Sequence, residues 1–397
     1  MLSVLFVDDE PNILRGYKRI FHARRKNWQI HLAGSGAEAL KLLEETHVDV
    51  IITDMRMPGM DGARLLNIIR LRYPHIIRII LSGQSDEEEI MNSVLATHRF
   101  LSKPTDPQTI REAIEQSVSF REKTGNAQIR GVVSQIDHLP SLPELYLEIE
   151  NILRREDFEL KEVTSVIEKD MAMTASILKL VNSAFFGIPR KVSTIQEAVS
   201  YLGVVLIKSL VLNHSLFSTG LQGPHPDFIR RLWQHSNETV RHALCLARGC
   251  FREQEVVDEI TLAASVHDIG MLIIANSLPG EFAGIQRQSL AGNIPAHSVE
   301  QEVLQTTHAA IGAYLAHLWS FPPAVVELIL HHHDSAINFK PLFILHLADV
   351  GAQQTLNDNY GFPQESLDKN SMSLFNKSDP SLNATFKDCL NKGWNDD

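Results

Sequence analysis

At 397 residues, with 44% apolar and 21% charged side chains, the chain is long enough for two or three domains that each bury a core. Its net charge of −11 at pH 7 falls mostly beyond residue 122, before which acids and bases nearly balance. An acidic second part argues against a phosphate-backbone-binding output, which needs clustered Lys and Arg, so no nucleic-acid partner is expected.

The first residues, Ser3 to Val7 (SVLFV), form a short apolar run that ends in Asp8-Asp9-Glu10. No basic stretch precedes it, so it reads as a core strand and not as a signal peptide. Val48 to Thr53 ends in Asp54, Arg78 to Leu81 ends in Ser82-Gly83, and Phe100-Leu101-Ser102 leads into Lys103-Pro104. Unbroken apolar runs of this length predict strands buried on both faces, hence a parallel sheet with helices between the strands. The carboxyl ends of such strands share one edge, where ligands bind, so Asp8, Asp9, Asp54, Ser82 and Lys103 should meet there. Three clustered carboxylates call for a hard divalent cation, and oxygen-only ligation suits Mg²⁺. A carboxylate so supported can take up a phosphoryl group, with the Lys103 ammonium absorbing charge on the transferring oxygens.

A helix is predicted over Pro107–Glu122, capped by Asp106 and presenting Ile110, Ala113, Ile114 and Val118 on one face. Residues 123–131 are polar and read as a linker. Beyond them the pattern is helical: Glu144–Arg155, Leu160–Lys169, Ala172–Asn182, and a long run capped by Ser193-Thr194. This second domain, 132–350, is expected to be all-α, and 351–397 to be a helical or partly disordered tail. The longest apolar runs, such as Val204–Ile207 and Leu342–Leu347, are too short for a bilayer, so no membrane partner is expected. Cys245, Cys250 and Cys389, with no C-x-x-C pair, read as reduced thiols of a cytoplasmic protein.

Most of the 18 histidines lie between residues 225 and 346, several beside a carboxylate. His267-Asp268 interrupts an apolar helix; His235 and His308 fall on helices before and after it. His331-His332-His333-Asp334 closes another helix, and Asp349 sits in the apolar run LFILHLADV. Such groups on buried helix faces are costly unless paired or metal-bound, and imidazole with carboxylate suits Fe, Mn or another divalent transition metal. Asp268 would bridge two ions, one held by His235, His267 and Asp349, the other by His308, His332 and His333. His242, His297, His317 and His346 are assigned to ordinary core or surface positions.

The motifs LFVDDEPNIL (5–14), DMRMPGMDG (54–62), LSG (81–83) and FLSKP (100–104) resemble the receiver domain of two-component response regulators, over residues 1–122. The resemblance implies a doubly wound, flavodoxin-like α/β fold and phosphorylation of Asp54 with Mg²⁺ held by Asp8, Asp9 and Asp54. It further implies Ser82 as switch hydroxyl, Phe100 as the aromatic that follows it, and Lys103 as the phosphate-pairing lysine. The order H…HD…H…HH…D resembles the HD superfamily of metal-dependent phosphohydrolases. LPSLPEL (139–145), DMAMTASILKLVNSAFFG (170–187), STIQEAVSYLGVVLIKSLVL (193–212) and SVHDIGML (265–272) narrow it to the HDOD output domain. Related HD-GYP phosphodiesterases carry a lysine where this chain has Met271, and a G-x-G-Y-P segment that is missing after His333.

These resemblances imply a sensor histidine kinase or phosphotransfer protein as phosphoryl donor, a downstream signalling protein as partner, and a homodimer formed through the receiver. The expected function is a response regulator with a non-catalytic HDOD output. The alternative is a phosphorylation-gated, metal-dependent phosphodiesterase acting on a nucleotide such as cyclic di-GMP.

Overall fold

The computed structural model describes residues 2–21, 27–82, 97–123, 140–141, 148–149, 151–153, 155, 157–182, 190–202, 218–219, 226–334, 339–357, 361–363, 386 and 389. The chain divides into two compact units. One gathers Met1–His138 with Lys179–Arg190 and Leu318–Ser320; the other takes Leu139–Leu178, Lys191–His317 and Phe321–Asp397.

The first unit is built on a five-stranded parallel sheet: β1 (Leu2–Val7), β2 (Trp28–Ala33), β3 (Val50–Asp54), β4 (Ile77–Ser82) and β5 (Arg99–Ser102). Its strand order, β2-β1-β3-β4-β5, is the doubly wound arrangement that reverses direction between β1 and β3. Helices α1 (Pro11–Ile20), α2 (Gly36–Glu45), α3 (Gly62–Arg72) and α4 (Pro107–Lys123) join and cover the strands. Because side chains alternate across a strand, Val4, Phe6, Val50, Ile52, Ile79 and Leu81 form one core layer, with Ile110 and Ile114 of α4. Leu5, Ile51 and Ile80 face the opposite way and are buried, as are Ala39 of α2 and Leu65 and Ile69 of α3.

Local chemistry starts each helix. Pro11 opens α1, the Ser35 hydroxyl accepts from the Glu38 N–H at 3.2 Å, and Asp61 accepts from Arg64 N–H at 2.6 Å. Asp106 accepts from Gln108 N–H at 3.1 Å, and α4 follows with bounds close to those the sequence predicts.

The second unit is largely helical. Its elements are α5 (Leu160–Ile167), α6 (Met171–Val181, whose end falls to the first unit), α7 (Pro226–Cys250), α8 (Gln254–Val266) and α9 (Ile269–Ser277). There follow α10 (Pro279–Gly292), α11 (Ala296–Leu304), α12 (His308–Leu318), α13 (Pro323–His331) and α14 (Lys340–Leu356). The all-α expectation needs one refinement: β6 (Pro140–Ser141) pairs in parallel with β7 (Ser218–Thr219) in a two-residue ladder. The longest helix, α7, packs along α14 and α8. α9 is apolar all round from Ile269 to Ala275, where every residue is buried.

A boundary at 350 falls inside α14. The apolar face continues through the buried Val350 and Ala352, and the helix stops only where Asn357 adopts a left-handed conformation. The proposed linker 123–131, apart from Lys123, and half of the Glu144–Arg155 helix lie outside the described residues. So do residues 183–187, 203–212 and most of 358–397. The sequence reading of free thiols differs from the structure: Cys245 of α7 is bonded to Cys389, and Cys250 takes no part in that bond. Neither partner carries a local signal in the sequence, because the two lie 144 positions apart. Gln254–Ser277 is apolar and long enough to cross a bilayer, but 78% of its most apolar window is buried in the protein, as in a core helix.

Candidate functional site

Two clusters of titratable side chains stand out, one in each unit. The first lies at the carboxyl edge of the sheet. Asp8 and Asp9 follow β1, Asp54 ends β3, Ser82 ends β4 and Lys103 follows β5. Strand register sets them side by side: Asp54 pairs with Leu81, Ser82 pairs with Ser102, and the Lys103 N–H donates to the Ser82 carbonyl at 2.7 Å. One oxygen from each of Asp8, Asp9 and Asp54 lies within 4.8 Å of the others. Lys103 Nζ is 2.8 Å from Asp54 Oδ1 and 3.5 Å from Asp8 Oδ2. Asp8 is buried, Asp9 exposed and Asp54 half-buried, so the cluster opens on one side.

Electrostatics at this edge pull in opposite directions. Burial pushes the Asp54 carboxyl up, the Lys103 ammonium draws it down, and Asp8 adds repulsion; the net shift is upward. Burial lowers Lys103, but Asp54 and Asp8 more than offset it and its pKa ends raised. Tyr17 of α1 is pushed up to about 12 by burial and by the charges of Asp8 and Asp54. The excess of carboxylate over ammonium fits a hard divalent cation with oxygen ligands, such as Mg²⁺. Ser82 is buried, and its hydroxyl makes no hydrogen bond among the described residues. Phe100, on β5 opposite Ile80, is buried as well. Gly62 makes the site possible at one point: a Cβ there would lie 2.2 Å from the Asp54 carbonyl oxygen, so only glycine lets α3 start against the end of β3.

The second cluster lies in the helical unit, where His267-Asp268 forms the break between α8 and α9. His235 comes from the middle of α7, His308 opens α12, His332 and His333 follow α13, and Asp349 lies on α14. Two glycines bring α9 against α12. A Cβ on Gly270 would sit 1.9 Å from the His308 carbonyl oxygen, and one on Gly312 would meet Ile269 Cγ2 at 3.0 Å. Asp268 is thereby placed among the imidazoles: Oδ2 is 3.1 Å from His267 Nε2 and 3.7 Å from His235 Nε2. Its Oδ1 is 3.3 Å from His308 Nε2 and 3.7 Å from His332 Nε2. His333 Nε2 is 2.8 Å from His308 Nε2, and Asp349 Oδ1 is 3.0 Å from His235 Nε2. The groups divide around Asp268 into His235 with His267, and His308 with His332 and His333.

The far sides of the rings are held. His267 Nδ1 meets the Ala264 carbonyl at 2.8 Å, and His332 Nδ1 the Ile329 carbonyl at 2.7 Å. The near sides are not: Asp268 Oδ1 and Oδ2, His267 Nε2 and His332 Nε2 are buried and make no well-formed hydrogen bond among the described residues. Buried carboxylate oxygens and imidazole nitrogens converging at ion-pair distance are an arrangement a metal ion satisfies, and the N/O donor set fits a divalent transition metal. Charge is otherwise balanced by the imidazoles. Burial opposes protonation of His267, yet Asp268 and Asp349 bring its pKa up to about 9. Burial and the neighbouring histidines push His332 down to about 3.

Some contacting residues carried no signal in the sequence. Glu300 of α11, fully buried, grips His308, and Gln353 Nε2 donates to Asp349 Oδ1 at 3.0 Å. His297 and His346, assigned above to ordinary positions, both reach this cluster. The His297 ring stacks on His333 at 4.5 Å, and His346 Nδ1 lies 3.2 Å from the His332 carbonyl. Met271 is fully buried in α9, so the position where HD-GYP relatives carry lysine sends an apolar side chain into the core.

Comparison with known proteins agrees with this division. Residues 4–115 match the response regulator receiver domain model, and residues 139–335 match the HDOD domain model. An uncharacterized protein of Treponema pallidum (strain Nichols) is 27% identical over 270 residues, 67% of this chain and 50% of that protein. The DNA-binding transcriptional regulator NtrC of Proteus hauseri is 32% identical over 150 residues, 36% of this chain and 31% of its own length. The chain thus spans half or less of these curated relatives. Among solved structures, the MmoQ response regulator from Methylococcus capsulatus str. Bath is 20% identical, covering 63% of this chain and 98% of that one, with a TM-score of 0.49.

Proposed function

From the premise that this chain is a response regulator joining a receiver domain to an HDOD domain, we propose that Asp54 is its phosphoacceptor and that the HDOD domain carries the signal onward. An Asp54 carboxylate oxygen attacks the phosphorus of a phosphohistidine on a sensor kinase or phosphotransfer protein, and the donor imidazole leaves. Asp8, Asp9 and Asp54 would hold Mg²⁺, which would supply charge neutralisation at the transferring oxygens. Lys103 Nζ pairs with the new phosphoryl group from its position beside Asp54. The buried Ser82 hydroxyl donates to a phosphoryl oxygen, Phe100 packs behind it, and the face formed by β5 and α4 changes. That face dimerises or re-packs, and the HDOD domain passes the change to a protein partner in the cytoplasm.

The observation that carries this reading is the 2.8 Å contact of Lys103 Nζ with Asp54 amid the carboxylates of Asp8 and Asp9. Incubation with acetyl phosphate and Mg²⁺ should add one phosphoryl group, detected by mass. Asp54→Asn and removal of Mg²⁺ by chelator should each abolish it. Labelling that persists in Asp54→Asn would refute the assignment.

The convergence of buried histidines on Asp268 in the HDOD domain supports a second element of the reading: a centre for divalent ions, to which Asp268 would contribute on both sides. His235, His267 and Asp349 would hold one ion; His308, His332 and His333 the other, with Fe or Mn suited to the donors. We read this centre as structural within a non-catalytic output. The nucleotide phosphodiesterase alternative is not favoured, because the matching model is HDOD and Met271 offers no cation to a phosphate.

A further inference from the structure

We propose that Glu300 is a positioning residue that fixes His308 as a ligand and makes its subsite the stronger of the two, an inference that rests on the metal reading above. His267 and His332 are oriented by their own helices, each Nδ1 meeting the carbonyl three residues back. His308 opens α12 and has no preceding turn to supply such a carbonyl. A carboxylate from another helix takes that place. Glu300 Oε2 accepts the His308 backbone N–H at 2.7 Å, and both carboxylate oxygens lie 2.8–2.9 Å from His308 Nδ1.

The arrangement has a direct chemical consequence. Glu300 has no exposed surface, and both groups of His308 satisfy its carboxylate in the interior. With Nδ1 engaged by the carboxylate, Nε2 is the His308 nitrogen left facing Asp268 and His333. An anion behind the ring also raises the basicity of the nitrogen in front, which a backbone carbonyl does less well. The adjacent Gln301 and Glu302 are exposed, so the position cannot be explained as one more surface acid. Gly270 adds the last constraint, since the approach of α9 to the His308 carbonyl fixes the backbone that Glu300 holds from the other side.

The test is Mn²⁺ binding to the full chain, followed by metal content during graded chelation with EDTA. Wild type should hold two equivalents. Glu300→Gln should lose one of them at roughly 10–100-fold lower chelator concentration while the other is released as in wild type. Glu302→Gln should match wild type throughout. If wild type binds no Mn²⁺, the metal reading falls and this inference with it. If wild type binds two and Glu300→Gln releases both with the wild-type profile, the metal reading stands and Glu300 is only structural. Equal weakening of both ions would also overturn the proposal, since a general loss of packing does not select one subsite. Should Glu300→Gln not fold, Glu300→Asp supplies the same comparison: its carboxylate withdraws by one methylene, and undiminished retention of both ions would refute the role.

Discussion

Asp54, half-buried, and His242, buried, show how differently two titratable groups are handled. Asp54 has a lysine at 2.8 Å, so charge at the sheet edge is compensated across strands. His242, on α7, is buried beside Arg241 and lies 3.0 Å from Thr355 Oγ1; burial first and the guanidinium second push its pKa down to about 4. Between pH 6.5 and about 4 the unfolded chain therefore binds a proton at this position that the folded chain refuses. Stability is highest above pH 6.5 and declines as pH falls through that window. Thermal melts of wild type and His242→Gln across pH 7 to 4 should show a steeper decline for wild type; parallel curves would contradict the assignment. At this scale legibility varied with context. Asp8, Asp9 and Asp54 stood out because each ends an apolar run, and strand register then sets the runs side by side. Glu300 did not, since within AHSVEQEVL it looks like its exposed neighbour Glu302, and only tertiary packing tells them apart.

At the scale of elements, the helical cluster depends on where helices stop. α8 and α9 would make one apolar helix; their break presents His267 and Asp268 instead, and α9 then runs against α12 at Gly270. Gly270→Ala should force its Cβ into the His308 carbonyl, which cannot swing away as a side chain can. The expected loss is about 1–3 kcal/mol of stability, together with weakened Mn²⁺ binding. Denaturant titration with a parallel metal assay checks it, and a variant as stable and as metal-competent as wild type would show that α9 and α12 have room to spare. Elements with strong periodicity were legible for the same physical reason: α4 begins at the Asp106 cap as its pattern requires. The β6–β7 ladder was not, because two residues carry no period and their pairing joins segments far apart in the chain. The extent of α14 past residue 350 was missed where buried Val350, Ala352 and Gln353 continue the helix into polar sequence.

At the scale of the whole molecule, the C-terminal region is tied back to the helix that carries His235. Cys389 bonds Cys245 across 144 positions, Phe386 and Cys389 are buried, and Arg241 Nη1 donates to the Cys389 carbonyl at 3.4 Å. A cross-link closing so long a loop acts chiefly by restricting the unfolded chain, and stabilises by about 2–4 kcal/mol. Oxidised protein should therefore melt roughly 5–15 °C above protein held in dithiothreitol, given the size of the helical unit. Cys389→Ser should melt like the reduced protein with or without reductant, whereas Cys250→Ser should keep the full difference, because the bond joins Cys245 and Cys389. Reducing compartments keep thiols open, so the reduced form is the one in which Cys389 is no longer bonded to α7. Identical melting of oxidised and reduced wild type would mean that the burial of Phe386 and Cys389, and not the bond, holds this segment in place.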